Sequence, residues 1–222
     1  MSDRFDWDAL APYWHIFEAA GSDDSVLTAA MAAGLDTPVL YIGGGVGTYA
    51  ARLAALIGNV VAIDSSRAMV RETRVRHPEI AAIVADVVTL PFADAAFRSV
   101  VCATGVIEFL DDKLQAAYRE LARVCRGGAL YVAAFIDDSV GIDRHAQIAA
   151  WLAGQAVDER LDRLARELGD RERAARLLQR ATPRYAPRLT ERVVIDAAGT
   201  AGLSTRRLLD DRSRGVMLWQ HA

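Results

Sequence analysis

Gly43, Gly44, Gly45 and Gly47 occupy four of five consecutive positions, directly after the apolar run Pro38–Ile42 and directly before an alanine-rich stretch. Glycine is suited to turns of positive φ and to places where a ligand lies against main chain with no Cβ between. A strand, a glycine turn and a helix form a site for a nucleotide-bearing compound: a dinucleotide, a nucleoside phosphate or a nucleoside sulfonium. No Gly-Lys-Ser/Thr follows, so the turn is not a P-loop. Gly45-Val46-Gly47-Thr48-Tyr49-Ala50 satisfies the G-x-G-x-x-A form of the dinucleotide fingerprint, a weak signal alone. Asp64 lies at the end of the next apolar run, where an acid accepts hydrogen bonds from ribose hydroxyls whichever cofactor owns the ribose.

The elements that position these residues follow from periodicity. Helices are predicted over 6–20 and 23–34, a strand over 38–42 and a helix over 46–57. A β-branched strand then ends at Asp64, a helix over 66–77 begins with a serine cap, and a strand over 80–86 ends at Asp86. Strand 97–104, helix 112–125 with Asp111 or Asp112 as its cap, and strand 128–136 after Gly127-Gly128 complete five β/α alternations. Such alternation predicts a parallel sheet covered on both faces. A long helical region over about 143–180, a loop with two prolines, a helix capped by Thr190 and two closing strands, 204–211 and 215–222, follow.

The 222 residues, 52% apolar and 25% charged, have the make-up of one globular domain with a sizeable core. A net charge of −3 and a pI near 5.8 give no general attraction to polyanions, and the basic residues are arginines except Lys113. No nucleic-acid or membrane partner is expected. The first twenty residues carry charges throughout, which reads as neither a signal peptide nor an anchor, so the expected location is cytoplasmic. Cys102 and Cys125 read as reduced core thiols, and no metal site is expected.

From residue 38 to 136 the chain resembles the class I S-adenosylmethionine-dependent methyltransferases, in particular their small-molecule branch. The series that carries this is Gly43, Gly45 and Gly47, then Asp64, Asp86, Leu90-Pro91-Phe92, Ile107-Glu108-Phe109, and Leu121-Ala122-Arg123-Val124-Cys125-Arg126-Gly127-Gly128. The resemblance implies a doubly wound, Rossmann-like α/β fold of seven strands with the last antiparallel. It makes residues 1–222 one domain, with a helical cap over 1–37 and a helical lid insertion over 143–185. It also implies S-adenosylmethionine as cofactor. Gly43, Gly45 and Gly47 would lie against the methionine part, and Asp64 would bind the ribose hydroxyls. Ser65 and Met69 would flank the adenine, with Asp86 accepting from its exocyclic amine and Val87 alongside. Main chain at Ala103 and Thr104 would face the methionyl amino group.

Tyr41 stands where the family usually has an acid that helps hold the cofactor's ammonium group. That departure keeps open a cofactor use other than methyl donation, such as displacement releasing methylthioadenosine, or a catalytically silent subunit. Tyr13 and Trp14, beside His15 on the aromatic N-terminal helix, would either line the cofactor mouth or pack the helix down. His15, His145 and Tyr185 are the candidate proton donors or acceptors, against the ordinary surface or core reading of each. The Asn/Asp-Pro-Pro-Tyr signature is absent after the fourth strand, where Ala103-Thr104-Gly105-Val106 stands, so a diffusible small-molecule acceptor is expected rather than a nucleic-acid base or glutamine amide. The chain is expected to act as a monomer or homodimer.

Overall fold

The structure, a computed structural model, describes residues 7–16, 22–136, 157–181, 189–211 and 216–222. Its centre is a seven-stranded sheet: β1 (Val39–Ile42), β2 (Val60–Asp64), β3 (Ala81–Val84), β4 (Ser99–Cys102), β5 (Ala129–Phe135), β6 (Thr205–Asp211) and β7 (Val216–His221). The spatial order is β3-β2-β1-β4-β5-β7-β6. The first five strands are mutually parallel, and β7 runs antiparallel to both β5 and β6. The chain order reverses between β1 and β4, where open α/β sheets bind ligands beyond the carboxyl ends of their strands.

Alternate side chains along each strand feed two apolar layers, as the period of two requires. On one face Leu40, Ile42, Val100, Cys102, Leu130, Val132 and Trp219 pack with α5 (Leu114–Val124) and α8 (Glu191–Thr200). On the other, Val39, Tyr41, Ala62, Val101, Ala103, Tyr131 and Ala133 meet α2 (Ser22–Ala32) and α3 (Thr48–Ile57). In α5, Leu114, Ala117, Tyr118, Leu121 and Val124 recur at helical spacing and are all buried. The remaining described elements are α1 (Trp7–Leu10), a 3-10 turn over Ala11–Ile16, α4 (Arg67–Arg76), α6 (Val157–Leu168) and α7 (Arg171–Ala181).

Two of the quoted sequence motifs turn out to hold each other. Arg123 of α5 donates through Nη1 to the Phe92 carbonyl at 2.7 Å and through Nη2 to that of Leu90 at 3.1 Å. Glu120 accepts from the Leu90 amide at 2.7 Å and from Arg123 Nε at 2.8 Å. The Leu90–Phe92 segment is irregular chain whose backbone polar groups need partners, and α5 supplies them. Just past this end of α5, a Cβ on Gly128 would stand 2.2 Å from the Arg98 carbonyl oxygen, so only glycine lets β5 start this close to β4. At the outer edge, Arg74 of α4 donates through Nε and Nη2 to the Ala82 carbonyl of β3 at 3.1 and 2.8 Å.

The predicted caps hold at Ser66, which accepts from the Met69 amide, and at Thr190, which accepts from Val193. They fail before α5: Asp111 has a φ of +44° inside a 3-10 turn, Asp111–Lys113, and no side chain caps the helix. The helical region predicted over about 143–180, whose residues before 157 lie outside the described residues, is divided at Gly169, whose φ is +64°. Asp170 restarts it by accepting from the Glu172 and Arg173 amides at 2.9 and 3.0 Å. Within the helix predicted over 6–20, the described residues 7–16 form a short α-helix followed by a 3-10 turn, and β3 stops at Val84, leaving Asp86 in a turn.

Candidate active site

The glycine turn leaves β1 and is hung on β2. The amides of Gly43 and Gly44 both donate to the Ile63 carbonyl, at 3.0 and 2.8 Å, and Gly47 donates back to Gly44 at 2.9 Å. Gly43 has a φ of +77°, and a Cβ there would stand 2.3 Å from Val106 Cγ2, so the loop beyond β4 closes directly on the turn. Thr73 of α4 donates its hydroxyl to the Gly45 carbonyl at 2.9 Å.

Asp64 binds the turn to the end of β2. Its Oδ2 accepts from the Gly45 amide at 2.9 Å and its Oδ1 from the Ser66 amide at 2.8 Å. Burial pushes its carboxyl above the usual range; the two amides oppose that shift, and the nearby Asp8 charge adds to it. A carboxylate oxygen accepts more than one hydrogen bond, so each Asp64 oxygen keeps capacity for a hydroxyl from a ligand. No lysine or arginine lies between Pro38 and Ala51, as suits a cofactor portion without phosphate. The donor set therefore fits a ribose and an uncharged or cationic group on the turn.

Around this pair, Ser65 is exposed and Met69 is buried with Ala11, Val46, Ala68, Trp7 and Trp14. Asp86 is exposed and accepts the Val88 amide at 3.1 Å, an Asx turn, while Val87 is buried in the α5 layer. Ala103 donates its amide to the Ile42 carbonyl at 3.0 Å, tying the ends of β1 and β4 together, and Thr104 is half-buried beside it. The structure thus brings Gly43, Gly45, Gly47, Asp64, Ser65, Met69, Ala103 and Thr104 to one end of the sheet. Tyr41 differs: its ring is 1% exposed inside the apolar layer with Ala62, Val101, Ala103 and Tyr131.

The N-terminal residues divide likewise. Tyr13 packs with Leu10, Ile16, Leu161 and Leu164, against the α6–α7 pair rather than the turn. Its neighbour Trp14 lies over the turn, with Nε1 3.6 Å from where a Gly45 Cβ would be. His15 clasps two elements, its Nε2 standing 2.9 Å from Glu167 of α6 and its Nδ1 3.4 Å from Arg76 of α4. His145 and Tyr185 lie outside the described residues.

Two further side chains shape the surroundings of the site. Trp7 packs edge-on to Trp14 and to Phe109, with ring centroids 5.3 and 6.1 Å apart. Glu108 is buried and accepts from the Gly105 amide at 3.0 Å and the Phe135 amide at 2.8 Å. It holds the loop beyond β4 to the end of β5, which is a structural acid's work. Among the described residues no group of His, Cys, Asp or Glu is arranged to hold a metal ion, and both cysteines are free and buried.

A doubly wound sheet with an antiparallel final strand, a glycine turn after its first strand and an acid after its second define the fold of the class I S-adenosylmethionine-dependent methyltransferases. Residues 39–128 match the family model described as a methyltransferase domain. The demethylmenaquinone methyltransferase of Beutenbergia cavernae is 39% identical over 98 residues, which are 44% of this chain and 40% of that relative. The chain spans less than half the length of this curated relative. A chain of the complex between the Haloferax volcanii Trm112 methyltransferase activator and a methyltransferase superposes with a TM-score of 0.62 at 18% identity, over 99% of this chain and 98% of that one. The [4+2]-cyclase SpnF superposes with a TM-score of 0.58 at 17% identity, over 84% of this chain and 59% of that one. At such identities these structures share the fold.

Proposed function

We propose that the chain binds S-adenosylmethionine across the glycine turn and Asp64 and directs its methyl group to a small-molecule acceptor. The observation that carries this is the Asp64 carboxylate, which pins the glycine turn while keeping acceptor capacity for two ribose hydroxyls. The methyltransferase match over residues 39–128 supports the cofactor. When bound, the cofactor supplies an electrophilic methyl carbon on a sulfonium.

The chain's part is to bind, align and exclude water, since in-line displacement needs little else from a protein. Asp64 accepts from the ribose, Ser65 and Met69 border the adenine, and Asp86 with Val87 meets its amino edge. Main chain at Gly43, Gly45, Gly47, Ala103 and Thr104 receives the methionine portion. Trp7 and Trp14 cover the turn and keep it dry. His15 is held between Glu167 and Arg76, which supports a positioning role over that of a base; His145 and Tyr185 keep the proton-transfer proposal. Burial of Tyr41 in the apolar layer favours ordinary methyl donation over a reaction at the cofactor's amine. The methyltransferase-domain match ends at residue 128, so it speaks for the cofactor and leaves the acceptor to the residues beyond it. Among the described residues no helix is long and apolar enough to cross a membrane.

Calorimetry with adenosylmethionine, adenosylhomocysteine and nicotinamide dinucleotides tests the reading. The two adenosyl compounds should compete for one site, and turnover with an acceptor should yield adenosylhomocysteine. Nicotinamide binding with no response to adenosylmethionine would overturn it. The SpnF likeness gives a second reading its place: methylthioadenosine, or no product from a bound cofactor, would point to a non-methylating member of the fold.

A further inference from the structure

We infer that Asp8 is the latch that keeps residues 7–16 closed over the glycine turn, and that exchange of the turn's ligand requires this carboxylate to leave the amino end of α4. Asp8 Oδ1 accepts from the Ser66 hydroxyl at 2.5 Å and from the Ala68 amide at 3.2 Å. Ser66 in turn accepts from the Met69 amide at 3.1 Å, so two side chains in series satisfy the first turn of α4. A carboxylate at a helix amino end gains from the dipole as well as from the hydrogen bonds. The Asp8 carboxyl is held below its usual range, first by Ser66 and then by the Ala68 amide.

The segment's two ends are fastened differently. At the far end Arg76 donates to the Pro12 carbonyl at 3.2 Å, and His15 lies between Arg76 and Glu167. Leu10 and Ile16 are fully buried there with Leu164 and Ala174, which makes this end an anchor. At the near end Asp8 is exposed, so water competes for its oxygens and the contact opens at modest cost. The groups that roof the turn are Trp14 over Gly45, Ala11 against Val46 and, next to Asp8, Trp7 against Phe109. Breaking the Asp8 contact frees Trp7 and the start of the roof while the Leu10–Ile16 anchor stays.

The proposal rests on reading the turn as the cofactor site. The test compares the full chain with its Asp8→Ala and Asp8→Asn variants by hydrogen-exchange mass spectrometry and by stopped-flow dissociation of adenosylhomocysteine. Asp8→Ala should raise ligand-free exchange at residues 7–9 about tenfold, with the Leu10–Ile16 anchor, β1 and β4 unchanged, and should speed dissociation by about the same factor, the scale of a lost charge-assisted cap. Asp8→Asn keeps an acceptor oxygen at the same place and should stay within about threefold of the parent on both measures. Unchanged exchange or unchanged dissociation in Asp8→Ala overturns the latch, as does a rise in exchange spread evenly through the sheet. If the parent chain does not bind adenosylhomocysteine, the cofactor reading fails, and the exchange of residues 7–9 alone decides for or against the latch.

Discussion

Asp64→Ala separates a residue that builds the turn from one that also binds through it. In the ligand-free protein the carboxylate accepts two amides, at 2.9 and 2.8 Å, and hydrogen bonds to a charged group contribute about 1.5–3 kcal/mol each. Against this stands desolvation, the largest influence on the Asp64 carboxyl and the reason it titrates above its usual range. Removing the side chain removes both, and water reaches the freed amides past exposed Ser65. The two effects nearly offset, so the free energy of unfolding should fall by only about 1 kcal/mol, a Tm drop of roughly 2–4 °C for a chain of this size. Binding has no such offset. Loss of the ribose acceptors should weaken adenosylhomocysteine by about 1.5–3 kcal/mol, or roughly 10- to 150-fold. Asp64→Asn, which keeps one acceptor oxygen, should fall between. Calorimetric titration of the three proteins, with ligand-free thermal melts beside it, reads both quantities. A Kd unchanged in Asp64→Ala would refute the assignment, and a large stability loss in both variants would refute the offset.

Two further substitutions address the scaffold. Gly128→Ala sets a Cβ 2.2 Å from the Arg98 carbonyl, which is rigid backbone also receiving the Ala129 amide, so urea unfolding should show a loss of about 3 kcal/mol. Gly127→Ala, in open space at a φ of +78°, should lose only about 1 kcal/mol, and equal losses would contradict the close-approach argument. His221 is fully buried, and burial lowers its pKa to about 4. The unfolded chain takes up this proton near pH 6.5 and the folded one does not until about 4, so stability is lost as pH falls through that window, by ~3 kcal/mol in all. In His221→Phe that part of the pH dependence should vanish from urea titrations between pH 4 and 7.

The sheet and half of the site were legible because they depend on local chemistry. β-branched runs, the Gly43–Gly47 cluster, Asp64 at a strand end and the Ser66 and Thr190 caps each announce themselves within a few residues. What escaped depends on contacts across the chain. Asp8 and Ser66 are 58 positions apart, and nothing about Asp8 in a charged N-terminal stretch distinguishes it from a solvated acid. For Trp14 the sequence leaves pocket lining and packing equally open; it serves both, belonging to the α6–α7 cluster and the cluster beside the turn. The Tyr41 reading rested on its place two residues before Gly43, where strand alternation turns its side chain into the α2–α3 layer. The break at Gly169-Asp170 had a local signal, a glycine followed by a capping residue, outweighed by the leucine spacing on either side.

The grip of Arg74 on β3 bears on how this molecule keeps company. An edge strand offers its outward main-chain groups as a template for another chain, and four residues of alanine, isoleucine and valine are well suited to be extended. The Ala82 carbonyl is already engaged by a two-pronged guanidinium anchored on α4. A partner strand adding to this margin would have to displace that fork and leave a cation to be resettled. Self-stacking along β3 is therefore resisted by a single side chain.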